Sequence, residues 1–190
     1  MELLEKRILT DGRVLPGGIL KVDNFLNHRI DTALLREMAE ELFRLFGGEG
    51  VNKILTIEAS GIAIAAVTGC VFGCPMVFAK KSKTKNLSGD LWSAEVESFT
   101  HGNTNTVVVS KDYLGPGDRV LIVDDFLATG AALVGLRSLC EQAGATVVGA
   151  GIAIEKVFQG GGDALRASGL RVESLARIAS MSDDSLVFCR

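Results

Sequence analysis

Histidine is almost absent from this chain. Two occur, His28 and His101, far apart in 190 residues. That is too few and too separated for a His-based metal cluster. Cysteine is sparse as well. Cys70, Cys74, Cys140 and Cys189 lie in mostly apolar stretches without metal-ligand spacing. No signal-peptide pattern is present, so the thiols are expected to be reduced and the protein cytoplasmic. There is no excess of positive charge: Lys plus Arg number 20 against 23 Asp plus Glu, for a net charge of −3. Nothing in that balance advertises nucleic acid or an anionic membrane as a partner.

The chain also lacks an unbroken apolar span. Ile62 to Ala79 carries no charge and is long enough to raise a membrane segment. Gly69, Gly73 and Pro75 interrupt it, and a proline inside a helix removes a hydrogen bond and clashes with the preceding turn. A buried helix over Gly61–Phe72 followed by a strand Met76–Ala79 accounts for the same residues. With neither an internal repeat nor a dividing linker, residues 1–190 are expected to form one domain with a real core.

Helical and extended patterns alternate along it. Glu2–Leu9 reads as a short amphipathic helix. Asp31–Phe46 is a stronger one, with Leu34, Leu35, Met38, Leu42, Leu45 and Phe46 on one face, Asp31 as cap and Gly47-Gly48 as terminator. Val51–Ile57, Met76–Lys80, Thr106–Lys111, Val120–Val123, Thr146–Ile154 and Arg171–Ile178 read as strands. Helices are expected over Thr129–Ala143 and Asp163–Ala167, the latter after the loop Gln159-Gly160-Gly161-Gly162. Strands separated by helices imply an α/β fold: a largely parallel twisted sheet with helices on both faces.

One stretch carries chemistry: Val120-Leu-Ile-Val-Asp-Asp-Phe-Leu-Ala-Thr-Gly-Ala-Ala132. A buried strand is followed by two adjacent carboxylates, then by a small-residue turn that opens a helix. Open α/β sheets bind ligands at such strand ends. The turn offers backbone N–H groups and a positive dipole end, which suit a phosphate. The acids suit hydroxyl donors or a cation. Phosphate beside sugar hydroxyls describes a ribose 5-phosphate. The bland alternative is an ordinary strand-turn-helix connection with two solvated acids.

The stretch closely resembles the phosphoribosyl diphosphate (PRPP) motif of the type I phosphoribosyltransferases. Further segments resemble the bacterial xanthine enzymes among them: Leu20-Lys-Val-Asp-Asn-Phe-Leu-Asn-His-Arg-Ile-Asp31, Glu155-Lys-Val-Phe-Gln-Gly160 and Val172-Glu-Ser-Leu-Ala-Arg-Ile178. The resemblance implies transfer of a phosphoribosyl group from PRPP to xanthine, with Mg²⁺ held mainly by the substrate and a homodimer as the assembly. It implies that Asp124 and Asp125 are the catalytic acids. PRPP would lie against Ala128, Thr129, Gly130, Ala131, Ala132, Ser60 and Lys81, and xanthine against Leu20, Asn27 and Lys156. A small N-terminal hood over about 1–30 and a mobile loop over about 82–105, opened by Lys80, Lys81, Lys83 and Lys85, complete the picture. Trp92 and Phe99 could instead pack that loop as a small hairpin.

Two features bear on the substrate. Lys156 offers donors and positive charge and no acceptor, which suits an oxygen-rich, partly anionic purine and not the amino group of adenine. Ala128 stands where hypoxanthine-guanine enzymes place an Asp. Against this, Ala128-Thr129-Gly130-Ala131 looks more like the turn of adenine enzymes than the Ala-Asn-Gly-Gln of many xanthine enzymes. An adenine or other purine phosphoribosyltransferase is therefore the alternative enzyme. A PRPP-sensing regulator of purine operons is the alternative of another class, but it calls for a DNA-binding domain or a basic face.

Overall fold

The computed structural model describes residues 1–81, 90–97 and 104–190. In chain order, α1 (Glu2–Asp11), the hairpin β1 (Arg13–Leu15) and β2 (Ile19–Lys21), and a wide helical turn Asp23–Asn27 precede α2 (Thr32–Phe46). Next come β3 (Lys53–Ile57), α3 (Gly61–Phe72), β4 (Met76–Ala79), β5 (Leu91–Glu97) and β6 (Thr104–Ser110). The chain ends with β7 (Arg119–Leu127), α4 (Ala131–Ala143), β8 (Thr146–Lys156), α5 (Gly161–Ala167), β9 (Val172–Met181) and β10 (Leu186–Phe188).

The central sheet has six strands in the order β10-β9-β8-β7-β3-β4, parallel throughout except for β10. Period-two alternation within β7 explains its two faces. Leu121 and Val123 join Leu4, Ile8, Leu35, Met38, Phe46 and Ile64 in one core, under α1, α2 and α3. Val120 and Ile122 join Leu55, Leu133, Leu136, Leu139 and Leu165 in the other, under α4 and α5. Leu20, Val22, Phe25 and Leu26 enter the first core, so the N-terminal segment packs on the sheet. Asp31 caps α2, accepting from Leu34 N at 3.2 Å. No helix of the described residues is long and apolar enough to cross a membrane.

Three expectations need correction. The strand Val120–Val123 runs on to Leu127, because β8 continues to Lys156 and supplies partners for Phe126 and Leu127. The following helix starts at Ala131 and not at Thr129, since Gly130 adopts a left-handed φ of 89° that ends the turn. Within the expected loop of 82–105, Leu91–Glu97 is a strand paired antiparallel with β6 along its length. Trp92 Nε1 donates to Leu114 O, and Val96 is buried. The remaining parts of that loop, with Lys83, Lys85 and Phe99, lie outside the described residues.

Candidate active site

The C-terminal end of β7 carries both acids. The sequence pattern places them just after the strand Val120–Val123. They lie inside β7, with Asp124 level with Ile152 of β8 and only 5% exposed. Successive side chains leave a strand on opposite sides, and the two acids accordingly have different neighbours. Asp124 Oδ1 accepts from Asp125 N at 3.0 Å. Asp125 Oδ2 accepts from Asn27 Nδ2 at 2.9 Å. Burial pushes the Asp124 carboxyl well above the usual carboxylate range, and the adjacent Asp125 charge pushes the same way. Only the Asp125 backbone N–H and, less strongly, the Lys81 charge favour its ionised form, and they do not offset the burial.

The turn between β3 and α3 closes against Asp124. A Cβ at Gly61 would fall 2.1 Å from Thr56 Oγ1 and 2.8 Å from Asp124 Oδ1, so only glycine lets α3 start this close. Thr56 Oγ1 is buried there without a partner among the described residues. The Glu58–Ala59 peptide is cis. Glu58 Oε1 accepts from the Lys81 backbone N–H at 2.7 Å, which ties this turn to the end of β4.

The turn Ala128–Gly130 and the first residues of α4 form the third wall. The leading N–H groups of a helix have no partners within it. Ser60, Lys81, Asp124, Asp125, Ala128, Thr129, Gly130, Ala131 and Ala132 line one cleft of about 210 Å³. Nine residues picked from three separate stretches of sequence therefore meet.

Leu20, Asn27 and Lys156 are not among the residues that line this cleft. Asn27 reaches it through Asp125. Lys156 Nζ donates to Gly18 O at 2.9 Å and sits 5.6 Å from the Phe126 ring centre. Leu20 is buried in β2 at 7% exposure. Burial lowers the Lys156 pKa.

Two residues went unread in the sequence. Phe126 lines the cleft and also meets Lys156, so it joins the two parts. An aromatic directly after an acid pair was its only signal. Glu155 is fully buried behind Lys156, bound by Arg166 at 2.8 and 2.7 Å, with Arg177 at 3.4 Å. A lone acid at the end of an apolar strand marked it.

Known proteins resemble this chain in sequence and in fold. Residues 21–161 match the phosphoribosyl transferase domain. The chain is 55% identical over 188 residues to the xanthine phosphoribosyltransferase of Finegoldia magna, covering 99% of both chains. It is 53% identical to that of Ruminiclostridium cellulolyticum, again covering 99% of both. The fold resembles that of an APRTase from Giardia lamblia, with a TM-score of 0.80 at 23% identity over 92% of this chain and 97% of the other. An adenine phosphoribosyltransferase from Thermoanaerobacter pseudethanolicus gives a TM-score of 0.74 at 26% identity over 92% and 99%. The strand-end acids, the small-residue turn and the full-length similarity agree: this chain belongs to the phosphoribosyltransferase family.

Proposed function

We propose that this protein is a xanthine phosphoribosyltransferase of purine salvage. It converts xanthine and PRPP to xanthosine 5′-monophosphate and diphosphate. The observation that carries the reading is the convergence of the acid pair, the phosphate turn, Ser60 and Lys81 on one cleft, with Asn27 and Lys156 beside it. The relatives at 50–55% identity over nearly the whole chain are xanthine enzymes, and they outweigh adenine enzymes that resemble it at about a quarter identity.

Bond breaking at C1 of the ribose moves charge onto the departing diphosphate and leaves an oxocarbenium-like sugar. The purine nitrogen then bonds to C1 as its proton passes to solvent or to the departing diphosphate. Such a reaction needs position and charge stabilisation more than a nucleophile. Asp124 and Asp125 accept from the ribose hydroxyls and favour the cationic sugar. Backbone N–H groups of Ala128–Ala132 hold the 5-phosphate, with the Thr129 hydroxyl assisting. Ser60 and the Lys81 ammonium face the diphosphate. Among the described residues no group of three or more side chains could hold a metal ion. Mg²⁺ would be held mainly by the oxygens of PRPP, where it would offset the charge of the diphosphate. Leu20 and Asn27 bound the purine, Phe126 offers it a flat apolar face, and Lys156 donates to a carbonyl oxygen. An anionic xanthine also offsets the desolvation that lowers the Lys156 pKa. A cytoplasmic homodimer belongs to the same reading, and the four free cysteines fit a reducing compartment.

The test is product formation from PRPP with xanthine, guanine, hypoxanthine and adenine, in wild type and Lys156→Ala. The wild type is expected to favour xanthine. The variant should lose about 1.5–3 kcal/mol, the range for a hydrogen bond to a charged group, or roughly ten- to a hundred-fold in kcat/KM for xanthine. Adenine should gain nothing from the Lys. A uniform drop across all purines would remove the base assignment and leave the PRPP site standing.

A further inference from the structure

The glycine loop Gln159-Gly160-Gly161-Gly162, whose last two residues open α5 two positions earlier than the expected start at Asp163, does not line the cleft, yet it touches the phosphate turn. Gly161 N donates to Ala128 O at 3.2 Å. A Cβ at Gly161 would lie 2.3 Å from Ala128 O, 2.4 Å from the Thr129 carbonyl carbon and 2.6 Å from Gly130 N. All three are backbone atoms of the turn, so no side chain fits unless the turn moves.

The other end of the loop is anchored by a buried ion pair. A Cβ at Gly162 would fall 1.9 Å from Glu155 Oε1. Glu155 accepts from both terminal nitrogens of Arg166 at 2.8 and 2.7 Å. Arg166 Nε donates to Val172 O at 3.2 Å, which ties α5 to β9. Contacts thus run without a gap from the end of β8, through α5, to the backbone of the phosphate turn.

We propose that this glycine loop, held by the Glu155–Arg166 pair, is a buttress that sets the shape of the phosphate turn, with Gly161 as a positioning residue for the 5-phosphate. The proposal rests on Ala128–Ala132 being the phosphate turn. Backbone N–H groups hold an anion well only when they already converge on it. Displacement by about 1 Å carries an N–H out of hydrogen-bond range of the phosphate, which weakens binding of substrate and transition state alike. Gly161 would have to shift the turn by a comparable distance to accept a methyl group. The backing of the turn is backbone on backbone, so its shape is set by packing and not by an adaptable side chain.

The test is Gly161→Ala in the full chain. KM for PRPP should rise about tenfold or more, the effect of losing one hydrogen bond to a charged group, and binding of ribose 5-phosphate, followed by calorimetry, should weaken in parallel. Selectivity for xanthine over guanine, and kcat at saturating PRPP, should stay within about threefold of wild type. A merely structural role predicts the reverse: a lower active fraction and melting temperature, with KM for PRPP unchanged. Arg166→Lys keeps the charge and loses the planar fork. It should raise KM for PRPP in the same sense by a smaller factor, and it serves if Gly161→Ala does not fold. Unchanged KM in a folded variant overturns the proposal. So does failure of both variants to fold, which would assign the loop to the core. If the wild type does not use PRPP at all, the reading of the turn itself falls, however the variants behave.

Discussion

Asp124 and Glu155 are both buried carboxylates near the C-terminal ends of adjacent strands, and their surroundings differ in sign. Around Asp124, burial and the neighbouring Asp125 both raise the carboxyl pKa. Around Glu155, burial also raises it, but the hydrogen bonds and charge of Arg166, aided by the Arg177 charge, outweigh that and hold it below the usual value. One acid has its counter-charge built into the fold. The other is left for a ligand to satisfy. Function sits where compensation is missing, and architecture where it is complete.

The largest expected effect comes from removing the uncompensated pair. Asp124→Asn with Asp125→Ala should abolish turnover while the circular dichroism spectrum and the melting transition of a folded protein remain. Near-normal activity in the double variant would erase the functional half of the contrast. Next is the compensated acid. Arg166→Met strands Glu155 with only the more distant Arg177, and breaking a buried pair costs about 3–5 kcal/mol. Urea denaturation should show that loss; a change under about 1 kcal/mol, the range of surface pairs, would mean that Arg177 or water replaces Arg166.

The smallest effect has the opposite sign. Asp124→Asn alone should stabilise the unliganded protein, because it removes a charge that the fold disfavours. At a pH below the unfolded value near 3.8 both states hold the proton, and variant and wild type should differ little. As pH rises above 3.8, the unfolded chain loses its proton first, so wild-type stability declines relative to the variant until the raised native pKa is passed. A gain of about 1 kcal/mol would appear as roughly 2–4 °C in Tm for a chain of this size. A melting series from pH 4 to 8 checks it, and a gap that fails to widen with pH would count against an uncompensated Asp124.

Most of the sheet was legible because its strands are short apolar runs bounded by turn residues, and α2 because its apolar residues repeat at helical spacing. Strand β5 falls in the segment expected as a mobile loop, with a small hairpin around Trp92 as the alternative, and it is a strand paired with β6. Its alternation is present, Trp92, Ala94 and Val96 against Ser93 and Glu95, but three apolar residues in a polar stretch are weak until a partner is known. The partner comes from tertiary structure: α4 packs on β5 so tightly that a Cβ at Gly135 would meet Val96 at 2.3 Å. The N-terminal hairpin of three-residue strands was missed for the same reason.

The residue types of the site were written in the sequence. An acid pair after an apolar strand, a small-residue turn that only an anion explains well, and a lysine suited to carbonyl oxygens are local properties, and local chemistry can be read without a fold. Burial and convergence could not be read. The sequence shows Asp124 and Asp125 as equals, yet β8 and the close start of α3 at Gly61 bury Asp124, while Asp125 reaches Asn27, distant in the chain. Glu155 and Lys156 are adjacent letters of opposite charge, and only the arrival of Arg166 and Arg177 makes the first a structural anchor. A charge in solution is described by its type alone. A charge inside a protein is described by what packs against it, and that is decided by residues far away along the chain.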